Sequence, residues 1–176
     1  MGTLLLMPDW QQLHALIAQF PTALLLIAPI FILIGIARPT ESASPYLLCA
    51  LLLMTIGTIA SYGALSTAKV LGPQSQLSPE VILILRHHQS LAETTTFTFS
   101  ALTVVFAAIV VVPLLLSRQS TRIVTSALPA VFLILYASGI VLLVDTAYAG
   151  SRLIHAFGIT GCQAPGTCGK AVLHEP

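Results

Sequence analysis

Charge is what this sequence has least of. Only 7% of its 176 residues are Asp, Glu, Lys or Arg, and the formal net charge is +1. A soluble domain carries about 25% charged residues, so the composition argues against a water-soluble fold. It also lacks the basic surface that nucleic-acid binding requires, and we expect no nucleic-acid partner. The size suits one bundle without a second domain.

Basic residues are missing from the start of the chain, and cysteines are few. Met1–Asp9 lacks the positive charge of a secretory signal, so the first apolar run is interpreted as a retained membrane helix. Cys49 lies in an apolar run and is expected to serve packing. Cys162 and Cys168 flank a Pro-Gly turn, which allows a disulfide in an oxidising compartment; two unpaired thiols are the alternative.

What the chain does have is four long runs without charge. Each is long enough to cross a hydrocarbon core of about 30 Å as a helix of about 20 residues. The sequence therefore predicts an all-α integral membrane four-helix bundle over residues 1–161, with an irregular tail over 162–176. The runs are Trp10–Ala37, Ser42–Ala68, Thr94–Ser117 and Ile123–Val144.

Proline and glycine predict where the helices begin and end. The first helix is expected to end at Ala37, followed by a loop over 38–45 and a second helix over about 45–70. Ser78-Pro79-Glu80 predicts the start of a third helix that runs to about 116, longer than a bilayer requires. The fourth is expected to end near Phe157, because Gly158 follows. Pro21 and Pro29 lie inside the first helix, where neighbours must bond to the carbonyls they free.

Four crossings would put both termini on one side of the membrane, which we call side A. The loops of the opposite side carry Arg38, Arg118 and Arg122 and are almost purely basic. The positive-inside rule weighs short loops most, so we expect side A and the termini to be periplasmic.

Histidines gather at side A. His14 begins the first helix, His87 and His88 begin the third, and His155 ends the fourth. Neutral imidazole binds haem iron, zinc or copper, and a four-helix bundle can hold a haem between facing helices. These four histidines are therefore candidate ligands of haem b or of a small metal site. The alternative is that they lie at the membrane boundary because imidazole tolerates both phases. Adjacent His87 and His88 point about 100° apart, so one of them can face the bundle axis.

Polar residues on the fourth helix form one stripe. Asp145, Tyr148, Arg152 and His155 are spaced 3, 4 and 3 residues apart. Asp145 is the deepest carboxylate and is expected to be paired or to face a wet interior. Arg152 and Lys69 are candidates to pair with haem propionates, and Tyr148 and Asp145 to orient a ligand or quinone or to relay a proton.

A second polar stripe follows the second helix. Stripes of Ser and Thr commonly serve helix–helix packing, and we favour that role here over a functional one. Its members are Thr55, Thr58, Tyr62, Ser66 and Lys69.

Two segments carry a family resemblance that covers about Leu13 to Gly158. The segment from His14 to Leu24 resembles the HP…HFPIAL opening of a bacterial four-helix membrane family of unknown function, and Asp145–Ile159 resembles its AYLGGxLVYxHGxGV ending. The chain departs from the pattern, since Gln19 replaces the second histidine of the opening and Ser151 the second glycine of the ending. Members are often associated with c-type cytochromes, so the resemblance implies a redox setting in the bacterial cytoplasmic (inner) membrane.

Together these features predict an electron-transfer or accessory subunit rather than a stand-alone enzyme. The first hypothesis is a subunit that binds haem b near its extracytoplasmic face and passes electrons between a periplasmic partner, such as a c-type cytochrome, and the quinone pool. The alternative is a non-catalytic subunit that packs among lipids and other subunits of a respiratory or photosynthetic complex.

Overall fold

A computed structural model describes residues 10–70, 79–115 and 126–157 of the chain. Within those residues it contains four helices and no strand, as the sequence predicts. They are α1 (Trp10–Ala37), α2 (Thr40–Val70), α3 (Pro79–Leu115) and α4 (Leu128–Phe157). All four are long and apolar enough to cross a membrane, so the chain is a multi-pass membrane protein. The termini and the Cys162–Cys168 pair lie outside the described residues.

Successive helices pack side by side and run antiparallel. Gly35 of α1 lies against Leu47 of α2, whereas Gly57 of α2 lies against Leu25 of α1. Each helix contacts the next along the chain, and α1 also contacts α4, which closes the ring. Most side chains face outward, because only 22% to 28% of the residues in each span are buried within the chain. An apolar outer surface of this kind is suited to lipid contact.

The second helix begins earlier than predicted. The expected loop over 38–45 is wrong, because α2 starts at Thr40 and only Arg38 and Pro39 separate it from α1. The amide of Ser42 donates to the carbonyl of Pro39 at 2.9 Å, which begins the helix, and Pro45 is accommodated within it. A proline near a helix start removes one backbone hydrogen bond without ending the helix.

Four aromatic side chains fill the middle of the bundle. We call Phe99, Phe106, Phe132 and Tyr136 the aromatic centre. The rings of Phe99 and Tyr136 meet edge to face at 5.3 Å, and those of Phe106 and Phe132 lie 4.8 Å apart. All four are buried, which joins α3 to α4.

The aromatic centre also compensates for one of the two prolines in α1. The hydroxyl of Tyr136 donates a hydrogen bond to the carbonyl of Leu25 at 2.7 Å. Leu25 lies four residues before Pro29, and a proline has no N–H to bond to that carbonyl. Tyr136 therefore supplies the donor that Pro29 lacks, as the bilayer demands of every backbone group.

Candidate functional site

The structure describes the side chains of four of the seven predicted site residues. These are His87, His88, Tyr148 and Arg152. His14 lies near the start of α1, Lys69 near the end of α2 and His155 near the end of α4, but their side chains lie outside the described part. Their predicted roles therefore stay predictions.

His88 is held between α3 and α4. Its ring lies over Gly150, where an added Cβ would be 3.0 Å from Cε1 of the imidazole. The Nδ1 atom is buried. On α3, His88 lies on the same face as Thr95 and Phe99, which also contact α4. A glycine at position 150 thus makes room for an imidazole where any other residue would crowd it.

His87 lies on a different face of α3. Its side chain is exposed, whereas that of His88 is partly buried. The adjacent histidines therefore diverge, as the helical geometry predicts, and His88 is the one that faces into the helix packing.

An open groove runs between α3 and α4 on the side of His87. It has a volume of about 740 Å³ and is called the α3–α4 groove below. Arg86 and His87 of α3 and Asp145, Tyr148 and Arg152 of α4 give it a polar lining. Apolar wall is supplied by Leu83, Ile84, Leu91 and Ala149.

The groove opens away from the other two helices. On α3, Ser100 and Thr103 mark the face toward α2, and His87 lies on the opposite flank of the α4 contact. On α4, Tyr136 marks the face toward α1, and Asp145 lies on the opposite flank of the α3 contact. The groove therefore faces the outside of the bundle.

This placement corrects the expectation for Asp145. The sequence predicts a carboxylate that is paired or faces a wet interior, but Asp145 is exposed on the outward groove. Spacing correctly groups Asp145, Tyr148 and Arg152 on one face. It could not show which way that face turns, because this depends on where α1 and α3 pack against α4.

Two members of the polar stripe of α2 bond to α3, as the packing interpretation predicts, whereas the side chain of Lys69 lies outside the described part. Thr58 bonds across to Thr103 of α3 at 3.1 Å, and Tyr62 to Ser100 at 3.0 Å. Thr55 and Ser66 instead donate to carbonyls of their own helix. The sequence did not reveal the equivalent bond between Thr95 of α3 and Thr146 of α4, at 2.7 Å.

Two participants were missed at the level of sequence. Gly150 positions His88, and a glycine inside a helix, where alanine would otherwise be favoured, could have pointed to it. Arg86 lines the groove with His87, and its place near the start of α3 could have pointed to it. Among the described side chains, no three His, Cys, Asp or Glu residues lie close enough to hold a metal ion.

Comparison of the chain with family models, with curated proteins and with solved structures finds no match.

Proposed function

We propose that this chain is a subunit of a bacterial cytoplasmic membrane complex that binds haem b near its extracytoplasmic face. It passes electrons between a periplasmic redox partner and the quinone pool. The observation that supports this proposal is His88, an imidazole held inside the α3–α4 contact over Gly150. The side of the membrane and the partner, for which a c-type cytochrome is the candidate, follow from the arginine distribution and the family resemblance.

The residues present fit a haem in two respects. An imidazole carried by a bundle helix is a common axial ligand, and His88 faces α4 rather than lipid. Gly150 lets the imidazole pack closely against α4, which holds the ring in place. When bound, haem would supply a one-electron carrier.

In this proposal His88 would hold the haem, and His14 and His155 are the further candidates to hold it. All three lie toward one end of their helices, where α1 begins, α3 begins and α4 ends. Because successive helices are antiparallel, those ends belong to the same end of the bundle. His87, Tyr148 and Arg152 line the outward groove, on a different face from His88.

The direct test is an optical spectrum of the full chain purified in detergent from haem-replete bacterial cells. We expect a reducible b-type absorbance band that His88→Ala removes. His87→Ala is the matched control, since it removes the neighbouring imidazole from the exposed face, and it should keep the band. A colourless wild-type protein, or loss of the band only in His87→Ala, would reject the proposal.

A second function is favoured by the hydrogen bonds between helices. Hydroxyl groups on α2 and α3 form hydrogen bonds between helices, namely those of Thr58, Tyr62 and Thr95. Polar side chains used in this way stabilise the bundle, as a non-catalytic subunit of a larger membrane complex requires. Substituting His14, His87, His88 and His155 together separates the two functions. A complex that keeps its cofactors after this change would support the structural subunit, whereas loss of a haem would support the electron carrier.

A further inference from the structure

We infer that the α3–α4 groove binds the headgroup of an anionic phospholipid. This site lies on the opposite flank of α3 from Thr103 and does not depend on the haem proposal. Three observations carry the inference: the direction of the groove, its height along the helices and its charge.

The groove opens toward lipid at the end of two spans. Its described walls are α3 and α4, and none of the described side chains of α1 or α2 lines it. The apolar span of α4 ends at Arg152, and that of α3 begins at Ile82. The groove therefore lies near the end of the α4 span, where we expect the headgroup region.

Residues of α3 and α4 that lie beside each other show how far along the bundle each polar group lies. His88 lies beside Gly150 and Thr95 beside Thr146, so α3 and α4 are in antiparallel register along the groove. Arg86 and Arg152 consequently lie at the outer end, and Asp145 lies about 10 Å deeper than Arg152, because seven helical residues separate them. Cations near the membrane surface and a carboxylate below them make the outer end the attractive one for an anion.

Among the described lining residues two are arginines and one is an aspartate, so the described lining carries more positive than negative charge. His87 and Tyr148 add an imidazole and a phenol hydroxyl. Guanidinium matches phosphate oxygens in geometry and charge, and basic pockets between membrane helices recognise anionic headgroups. A volume of about 740 Å³ is within the range of pockets for small ligands.

The apolar wall of the groove favours the phosphate of a lipid over free inorganic phosphate. Leu83, Ile84 and Leu91 run beside the cations and offer a surface to acyl chains, which a free phosphate would leave uncovered. A quinone headgroup would use the same wall but carries no charge for two arginines to neutralise. We therefore commit to an anionic phospholipid.

The test is native mass spectrometry of the full chain released from detergent, after incubation with equal amounts of phosphatidylglycerol and phosphatidylcholine with the same acyl chains. The wild type should retain phosphatidylglycerol preferentially. Arg86→Gln with Arg152→Gln should reduce that preference roughly thirtyfold, since each cation beside the bound headgroup contributes a factor of about five. Arg38→Gln, an exposed arginine at the other end of the bundle, is the matched control and should leave the preference unchanged.

Asp145→Asn should change the preference for phosphatidylglycerol in the opposite direction. Removal of the only carboxylate among the described lining residues should raise the preference for phosphatidylglycerol about threefold, because like charges repel across a low dielectric. Because a general loss of fold cannot produce a gain of binding, this variant distinguishes a change in lipid recognition from misfolding.

Three results would overturn the inference. They are equal retention of the two lipids by the wild type, displacement of phosphatidylglycerol by millimolar inorganic phosphate, and retention of decylubiquinone that outcompetes phosphatidylglycerol. Because none of these readouts involves absorbance by haem, failure here and failure of the haem proposal are distinguishable.

Discussion

The middle of the bundle and its side A end use tyrosine in opposite ways. Tyr136 is fully buried and completes the backbone bonding of α1, whereas Tyr148 is 64% exposed in the α3–α4 groove. The two residues lie twelve positions apart on the same helix. The contrast teaches that polar groups at the centre are committed to the fold, while those at the end are available to a ligand.

The largest expected effect comes from truncating the two tyrosines. Tyr136→Ala should lower the free energy of unfolding by about 3–5 kcal/mol, because it empties the aromatic centre. Tyr148→Ala should change it by less than about 0.5 kcal/mol, since that side chain lies mostly outside the packing. Unfolding by SDS titration from mild detergent measures both, and equal losses would erase the contrast.

A smaller change isolates the hydroxyl of Tyr136. Tyr136→Phe should cost about 1–3 kcal/mol, because the carbonyl of Leu25 is left in hydrocarbon without a donor. In a Pro29→Ala background the new amide can bond to that carbonyl, and the cost of Tyr136→Phe should fall below about 0.5 kcal/mol. The same SDS titration on the four proteins gives the coupling. A cost that is equal in both backgrounds would show that Tyr136 does not compensate for the proline.

Two glycines on different helices sharpen the account of His88. Gly150→Ala should cost about 1–2 kcal/mol and weaken the haem absorbance, because the methyl group would press on the imidazole. Gly63→Ala is the matched control, since an added Cβ there meets nothing within 4 Å. It should be neutral or stabilise α2 by up to about 1 kcal/mol. Thermal unfolding followed by circular dichroism compares the two, and an undisturbed Gly150→Ala would mean that His88 is not confined.

The smallest expected effect separates two neighbouring threonines. Thr95→Val should cost about 0.6 kcal/mol, because it removes the bond to Thr146 between α3 and α4. Thr94 is exposed and donates to the carbonyl of Ser90 in its own helix, so Thr94→Val should cost nothing measurable. Steric trapping in bicelles resolves differences of this size. A larger loss from Thr94→Val would contradict the assignment of the two faces.

Sequence alone predicts the fold and the faces of its helices, because both follow from apolar length and helical periodicity. It identifies the four helices, the divergence of His87 and His88, and the shared face of Asp145 and Arg152. It does not predict that Tyr136 bonds to Leu25, since the two are 111 residues apart and only the ring of helices brings them together.

The sequence could not predict the direction in which the α3–α4 groove opens, for a related reason. Periodicity states which residues lie together on α4, but the side on which α3 packs is decided by contacts such as Gly139 against Leu102 and Phe99. The sequence placed the start of α2 too late because two prolines lie close together. Pro39 precedes the helix and Pro45 lies inside it, and the two produce similar local patterns.

In both proposals, α3 separates an inward histidine from an outward one. Native mass spectrometry of the haem-replete full chain with phosphatidylglycerol reads both ligands in one spectrum. His88→Gln should lose the mass of haem and keep the lipid, whereas His87→Gln should keep haem and retain less lipid. Loss of haem from His87→Gln, or loss of both ligands together from either variant, would contradict the claim.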